Sequence, residues 1–231
     1  MDKFVAIEGL DGCGKSTQIK LLTKFLGLKG IKYKYAHFPR TNSPVYGEMI
    51  ARFLRGEFGH VNSVNPYLVA LLYAGDRENA KPIIQDWLSQ NYLVIVDRYV
   101  YSNIAFQCAK ANTSLEKERL KKWILELEYG YNTIPSPIIS ILLHVPFEFI
   151  VSKLNDKRIG IDRTYLNGKE DIHESSIELQ KKVETEYLKL ANQYQDFYVV
   201  NCGTKDNEML PPEKMSCEII NLLFSKHIVE K

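Results

Sequence analysis

The sequence has little cysteine, and none of it is arranged as a metal cluster would need. Cys13, Cys108, Cys202 and Cys217 are far apart, with no C-x-x-C pair and no histidine at metal-ligand spacing. That argues against a zinc site and for a cytoplasmic chain with reduced thiols. A surplus of one charge is also missing: 30 Lys and Arg stand against 28 Asp and Glu, a formal net charge of +2. A non-specific nucleic-acid binder needs excess cations, so no nucleic-acid partner is expected. No long apolar run occurs either. The longest, Ile138 to Val145, has eight residues and contains Ser140 and His144, whereas a membrane span needs about 20. With Asp2, Lys3 and Glu8 near the start, no secretory leader and no membrane partner are expected. There is no internal repeat, no low-complexity segment and no Pro/Gly/Ser linker, so residues 1–231 read as a single domain.

What is present is ordinary globular composition, 45% hydrophobic and 25% charged, in which a chain of this length buries roughly 70–75% of its unfolded surface. Short runs rich in Val and Ile alternate with helical patterns. The strand-like runs are Lys3–Gly9, Lys32–His37, Leu93–Asp97, Ile138–His144 and Phe197–Asn201. Their near-continuous hydrophobicity is that of strands buried on both faces. Helical patterns span Lys15–Leu26, Pro66–Leu88, Leu115–Glu128, Pro146–Lys157, Ile172–Tyr194 and a C-terminal stretch from Pro212. This alternation predicts an α/β fold: a doubly wound, five-stranded parallel sheet with helices on both faces.

The strongest chemical signal is Gly9-Leu10-Asp11-Gly12-Cys13-Gly14-Lys15-Ser16-Thr17, which fits G-x-x-x-x-G-K-[ST]. It follows a predicted strand and opens a predicted helix, the context this Walker A motif requires. Glycines let the loop turn its N–H groups inward on phosphate oxygens, and the helix N-terminus adds partial positive charge. Lys15 would reach the β- and γ-phosphates of ATP, and the Ser16 hydroxyl would ligate Mg²⁺. The guanine-reading string N-K-x-D is absent, which leaves chiefly a small kinase.

Leu93–Asp97 is followed by Arg98 and Tyr99. Ligands in doubly wound sheets bind at the carboxyl ends of strands, so Asp97 would hold Mg²⁺ or its water. Arg98 would bridge donor and acceptor phosphates. A helix cap for Asp97 and a surface ion pair for Arg98 remain the plainer alternative. The polar stretch 155–171 carries Lys157, Arg158, Arg163 and Lys169. It reads either as a solvated loop or as a mobile lid that brings cations to an anionic ligand. His37, His60, His144 and His227 show no pairing pattern.

Five stretches belong together: Gly9–Thr17 with Asp11 inside, His37-Phe38-Pro39-Arg40, Tyr73-Ala74-Gly75-Asp76-Arg77, Asp97-Arg98-Tyr99-Val100-Tyr101-Ser102-Asn103, and Asp171-Ile172-His173-Glu174. In these, and over nearly its whole length, the chain resembles the thymidylate kinases. The D-R-Y-x-x-S-N run, with an aromatic-x-x-D-R run before it, is far more specific than the phosphate loop. The resemblance implies ATP and dTMP as substrates, Mg²⁺ as cofactor and a two-fold dimer through helices on one side of the sheet. It implies that Tyr73 stacks on thymine, Arg77 donates to a thymine carbonyl and Asn103 pairs with the base edge. Phe106 and Gln107 would lie beside the deoxyribose, and Asp11 would accept from the 3′-hydroxyl. Phe38 and Arg40 would line the monophosphate pocket with Arg98 across it. The phosphate loop offers no cation among Leu10, Asp11, Gly12 and Cys13, so Arg158 and Arg163 of the lid become the catalytic cations. Glu174 would touch a second metal or water, and His173 stands where the family often has tyrosine.

Overall fold

A computed structural model describes residues 3–155, 161–206 and 208–230, with the side chains of 155 and 161–163 outside that description. Phe4–Glu8 (β1) and Leu93–Asp97 (β3) are buried at every position, and Ile139–His144 (β4) at all but the last. With Tyr33–His37 (β2) and Phe197–Asn201 (β5) they form a parallel sheet of order β2-β3-β1-β4-β5. Strands read as buried on both faces are so in the three central positions only. On the edges, Tyr35 of β2 and Val199 of β5 are 42% and 39% exposed, because an edge strand has a neighbour on one side and less helix over it. The chain lays β3 on one flank of β1 and β4 on the other, so the crevice at the carboxyl end of β1 is where a ligand fits.

The helices are Lys15–Leu28 (α1), Tyr46–Leu54 (α2), Pro66–Ser89 (α3), Val100–Cys108 (α4), Ser114–Leu125 (α5), Phe147–Asn155 (α6), Ile177–Gln193 (α7) and Pro212–Ser225 (α8). Their starts follow from local chemistry. Pro66 occupies the first turn of α3, and the Asn65 side chain accepts from the Tyr67 N–H. Thr113 and Glu116 form a reciprocal capping box for α5. The helix expected from Ile172 begins instead at Ile177. Asp171 Oδ1 accepts from the N–H groups of His173 and Glu174, which makes 171–174 a turn, and Ser176 then caps α7 by accepting from Leu179 N–H. The pattern expected over Leu115–Glu128 ends as a helix at Leu125 and widens into a π-helical turn, Glu126–Tyr131.

The main core joins both faces of the sheet to its helices. A smaller cluster of Ile50, Phe53 and Leu54 from α2 with Val69 from α3 packs on Tyr73, Tyr165 and Ile172. It forms a second wall above the carboxyl ends of the strands.

Candidate active site

The phosphate loop is built as its glycines predict. Gly12 and Gly14 have φ of 80° and 89°, the left-handed region that glycine adopts without steric cost. The buried Lys15 ammonium arches back over the loop and donates to the carbonyls of Gly9 (3.1 Å) and Leu10 (2.8 Å). Ser16 and Thr17 lie exposed on the first turn of α1. Gly9, Leu10 and Cys13 are buried behind the loop; a Cβ on Gly9 would stand 2.7 Å from the Cys13 sulfur.

Arg98 leaves β3 with φ of 65°, uncommon for a side-chain-bearing residue. Its N–H bonds to Ile7 O at 2.8 Å. The next residues are pinned by the buried Glu8 carboxyl, which accepts from Tyr99 N–H (2.9 Å), Tyr187 OH (3.1 Å) and the Ser102 hydroxyl. Burial raises the Glu8 pKa, against the pull of the Ser102 bond and Arg98. So held, Arg98 donates from Nη2 to Asp11 Oδ1 at 2.7 Å and from Nη1 to Ser102 Oγ at 3.3 Å. Gln180 Nε2 donates to the other Asp11 oxygen at 3.0 Å. Burial alone would raise the Asp11 carboxyl; Arg98 and Lys15 hold it well below the usual range.

His37, read as unpaired, meets Asp97: Nδ1 lies 3.1 Å from Oδ2. The pairing was hidden because β2 and β3 bring the two together across the sheet. His144 likewise meets Glu184 at 3.3 Å. Asp97 Oδ1 is buried with no hydrogen-bond partner among the described residues. An orphaned carboxylate oxygen and the Ser16 hydroxyl are hard oxygen donors of the kind Mg²⁺ takes, and that ion keeps few protein ligands and several waters. Among the described residues no cluster of three His, Cys, Asp or Glu is arranged to hold a metal. The residues fit the metal.

All the acceptor-side candidates line one cavity of about 730 Å³, which also reaches Asp11, Lys15, Ser16 and Asp97. Tyr73 and Arg77 face it from α3, and Asn103, Phe106 and Gln107 from α4. Phe38 and Arg40 follow β2. Arg40 is tied to the buried Asp76, donating from Nε to Oδ1 at 3.0 Å and from its backbone N–H to Oδ2 at 2.8 Å. Arg77 is fully buried in a bidentate pair with Glu128. His173 lies between Phe53 and Phe106, at ring centroid distances of 5.3 and 4.9 Å. Its pKa is pushed well down by burial and then by Lys110. Lys110 itself, half-buried and donating to Gln107 Oε1 at 3.0 Å, is lowered to about 7 by desolvation.

Of the lid candidates, Arg158 lies outside the described residues and so does the side chain of Arg163. The described part of 155–171 does bring Thr164, Tyr165 and Asp171 to the cavity, followed by Glu174. Asp171, accepting from Tyr165 OH at 2.9 Å, is raised to about 7 by burial and by facing Asp11 and Glu174. The sequence reading missed Lys153, on α6, which lines the cavity over Gly12. It gave Asp76 no role beyond its place in the aromatic-x-x-D-R run, and it missed Glu128.

A loop that wraps phosphate, set at the carboxyl end of a central parallel strand and opening on an arginine-lined cavity, defines a P-loop phosphotransferase. Comparisons with known proteins narrow that class. The family model described as Thymidylate kinase matches residues 7–211. A probable thymidylate kinase of Pyrococcus abyssi is 32% identical over 89% of this chain and 91% of its own. One from Pyrococcus horikoshii is 34% identical over 86% and 87%, and thymidylate kinase of Mycobacterium tuberculosis 31% over 82% and 86%. A solved thymidylate kinase from Candida albicans superposes with a TM-score of 0.71, covering 98% of this chain and 92% of that one; at 23% identity it speaks for the fold. The chain belongs to the thymidylate kinase family, and so to the nucleoside-monophosphate kinases.

Proposed function

We propose that the chain transfers the γ-phosphoryl group of ATP to dTMP, giving ADP and dTDP. The observation that carries this reading is that Lys15 and Ser16 line the same cavity as Tyr73, Arg77 and Asn103, and that Arg98, also in its lining, bonds both Asp11 and Ser102. The obstacle in such a transfer is repulsion between two polyanions. Catalysis is then positioning and charge stabilisation, with no covalent enzyme intermediate. Lys15 would leave its carbonyl partners for the β- and γ-phosphates. Arg98 would hold the acceptor phosphate against the donor, with Phe38 and Arg40 closing its pocket. Asp11, held ionised, accepts from the 3′-hydroxyl. Tyr73 stacks on the base, while Phe106 and Gln107 wall the sugar. Ser16 and Asp97 would hold Mg²⁺, which supplies charge neutralisation across the donor phosphates.

The same reading includes one domain over 1–231 with a lid at about 155–171. Arg158 and Arg163 add charge there to that of Lys153, and closure excludes water. Free thiols at Cys13, Cys108, Cys202 and Cys217 support a cytoplasmic setting, and no described helix is long and apolar enough to cross a membrane. Exposed Leu68 and Leu71 on α3 support the two-fold dimer, which light scattering would report as twice the chain mass. The deciding assay is coupled ADP release against a panel of acceptors. Release that depends on dTMP, and prefers it over thymidine, UMP and GMP, supports the reading. Release indifferent to dTMP would make the chain a nucleotide-hydrolysing switch instead.

A further inference from the structure

The two side chains assigned to the base share a third residue that does not line the cavity. Glu128 has no exposed surface and projects from the π-helical turn that follows α5. Its carboxylate takes Nε of Arg77 at 2.9 Å, takes Nη2 of the same guanidinium, and accepts from Nδ2 of Asn103 at 3.0 Å. Asn103 Nδ2 also donates to Ala70 O at 3.1 Å. Both amide hydrogens are therefore used, and the acceptors that use them are a carbonyl and a carboxylate. The reverse orientation would set Asn103 Oδ1 against two acceptors, so the network allows one orientation. In that orientation Asn103 Oδ1 is buried without a hydrogen-bond partner among the described residues, on a residue that lines the cavity. Such an acceptor is costly unless a ligand supplies a donor. Arg77, with two nitrogens engaged by Glu128, has only N–H donors left to offer.

We infer that Glu128 is a positioning residue that sets the polarity of base recognition. It fixes Asn103 as acceptor and holds Arg77, a donor in any orientation, in place, so the pocket takes a pyrimidine whose ring N–H adjoins a carbonyl. Thymine and uracil present N3–H beside O4. Cytosine presents the reverse, a bare N3 beside an amino group, and would oppose acceptor to acceptor and donor to donor. The inference rests on Arg77 and Asn103 being the base readers.

The test is the ratio of kcat/KM for dTMP to that for dCMP in the wild-type chain and in Glu128→Gln. The neutral amide lets Asn103 turn over and releases Arg77, so the ratio is expected to fall about tenfold or more, since selectivity of this kind comes from leaving buried polar groups unpaired. KM for dTMP should rise while kcat and KM for ATP change little. A purely structural Glu128 would lower the melting temperature and leave the ratio unchanged, and that result overturns the inference. The unaltered protein gives a measurement that survives misfolding of the variant. N3-methyl-dTMP, which has no N3–H, should be at least about 100-fold poorer than dTMP; equal use would refute the assigned polarity. Absence of any response to dTMP in the wild-type chain would instead sink the thymidylate reading itself.

Discussion

Arg98 Nη2 and Asp11 Oδ1 stand 2.7 Å apart, joining the end of β3 to the inside of the phosphate loop. The pair is mostly buried, and each partner favours the charged form of the other. Burial disfavours the Arg98 cation, yet Asp11 and the other acids around it hold its pKa well above normal. A cation that touches the donor loop and the acceptor pocket at once is suited to offset negative charge across the transfer. Lysine has neither the reach nor the planar fork to bond Asp11, Ser102 and a phosphate together. Arg98→Lys is therefore expected to lower kcat by about 10²–10³, the usual cost of one preorganised charge-stabilising donor. Steady-state ADP release at saturating ATP and dTMP checks it, and wild-type turnover in the variant would remove Arg98 from the reaction.

Lys15 tests the other end. Its ammonium rests on two loop carbonyls, an arrangement that also leaves it within the loop that would receive the triphosphate. Lys15→Ala should lower kcat by about 10³ while circular dichroism and melting stay near wild type, because the lost bonds are to backbone groups that water can satisfy at the cavity floor. An unfolded variant, or a fully active one, would contradict that role.

The residues that carry chemistry were legible where they follow one another in the chain. The five strands were read to within one residue at each end, because central parallel strands are apolar without interruption and end abruptly at Asp97 or Gly9. The glycine loop and the D-R-Y-x-x-S-N run announce themselves by spacing. Two helices were not read. All nine residues of α4 are buried, so it lacks the polar face that periodicity needs, and α2 is only nine residues long. The partners of the supporting acids could not be read for another reason. Glu128 meets Arg77 across 51 residues and Asp76 meets Arg40 across 36, and nothing local tells a buried partner from a solvated one.

Two desolvated groups of opposite sign should give stability a pH dependence that can be assigned. Asp171 titrates from 3.8 to about 7 on folding, so the folded state binds the extra proton between those values. Its contribution is fully present below about 4 and lost as pH rises through 7. Lys110 moves the other way, from 10.5 to about 7; its contribution is present above 10.5 and lost as pH falls through 7. Asp171→Asn imitates the protonated acid. It should match wild type below about pH 4 and melt about 3–6 °C higher at pH 8. Lys110→Met should erase the part of the wild-type rise in melting temperature that falls between pH 7 and 10. Parallel curves for wild type and either variant would place that group's ionisation elsewhere.

Gly75 sets the distance between the wall of the pocket and its floor. It lies on α3 beside Asp76 and Arg77, the anchors of Arg40 and Glu128. A Cβ on it would come within 2.2 Å of the Tyr46 ring of α2. No rotamer of a methyl group avoids that contact, and the tyrosine must move or the helices must part. Parting them would shift Arg77 relative to Asn103, which sits on a different helix. Gly75→Ala gains helix propensity, worth about 1 kcal/mol, but overpacking costs about 1–3 kcal/mol. A net loss of stability is expected, with KM for dTMP raised more than KM for ATP because the phosphate loop is carried by β1 and α1. Urea unfolding and the two KM values measure both effects. A variant as stable as wild type with unchanged dTMP binding would show that Tyr46 can swing clear and that α2 does not hold this wall in place.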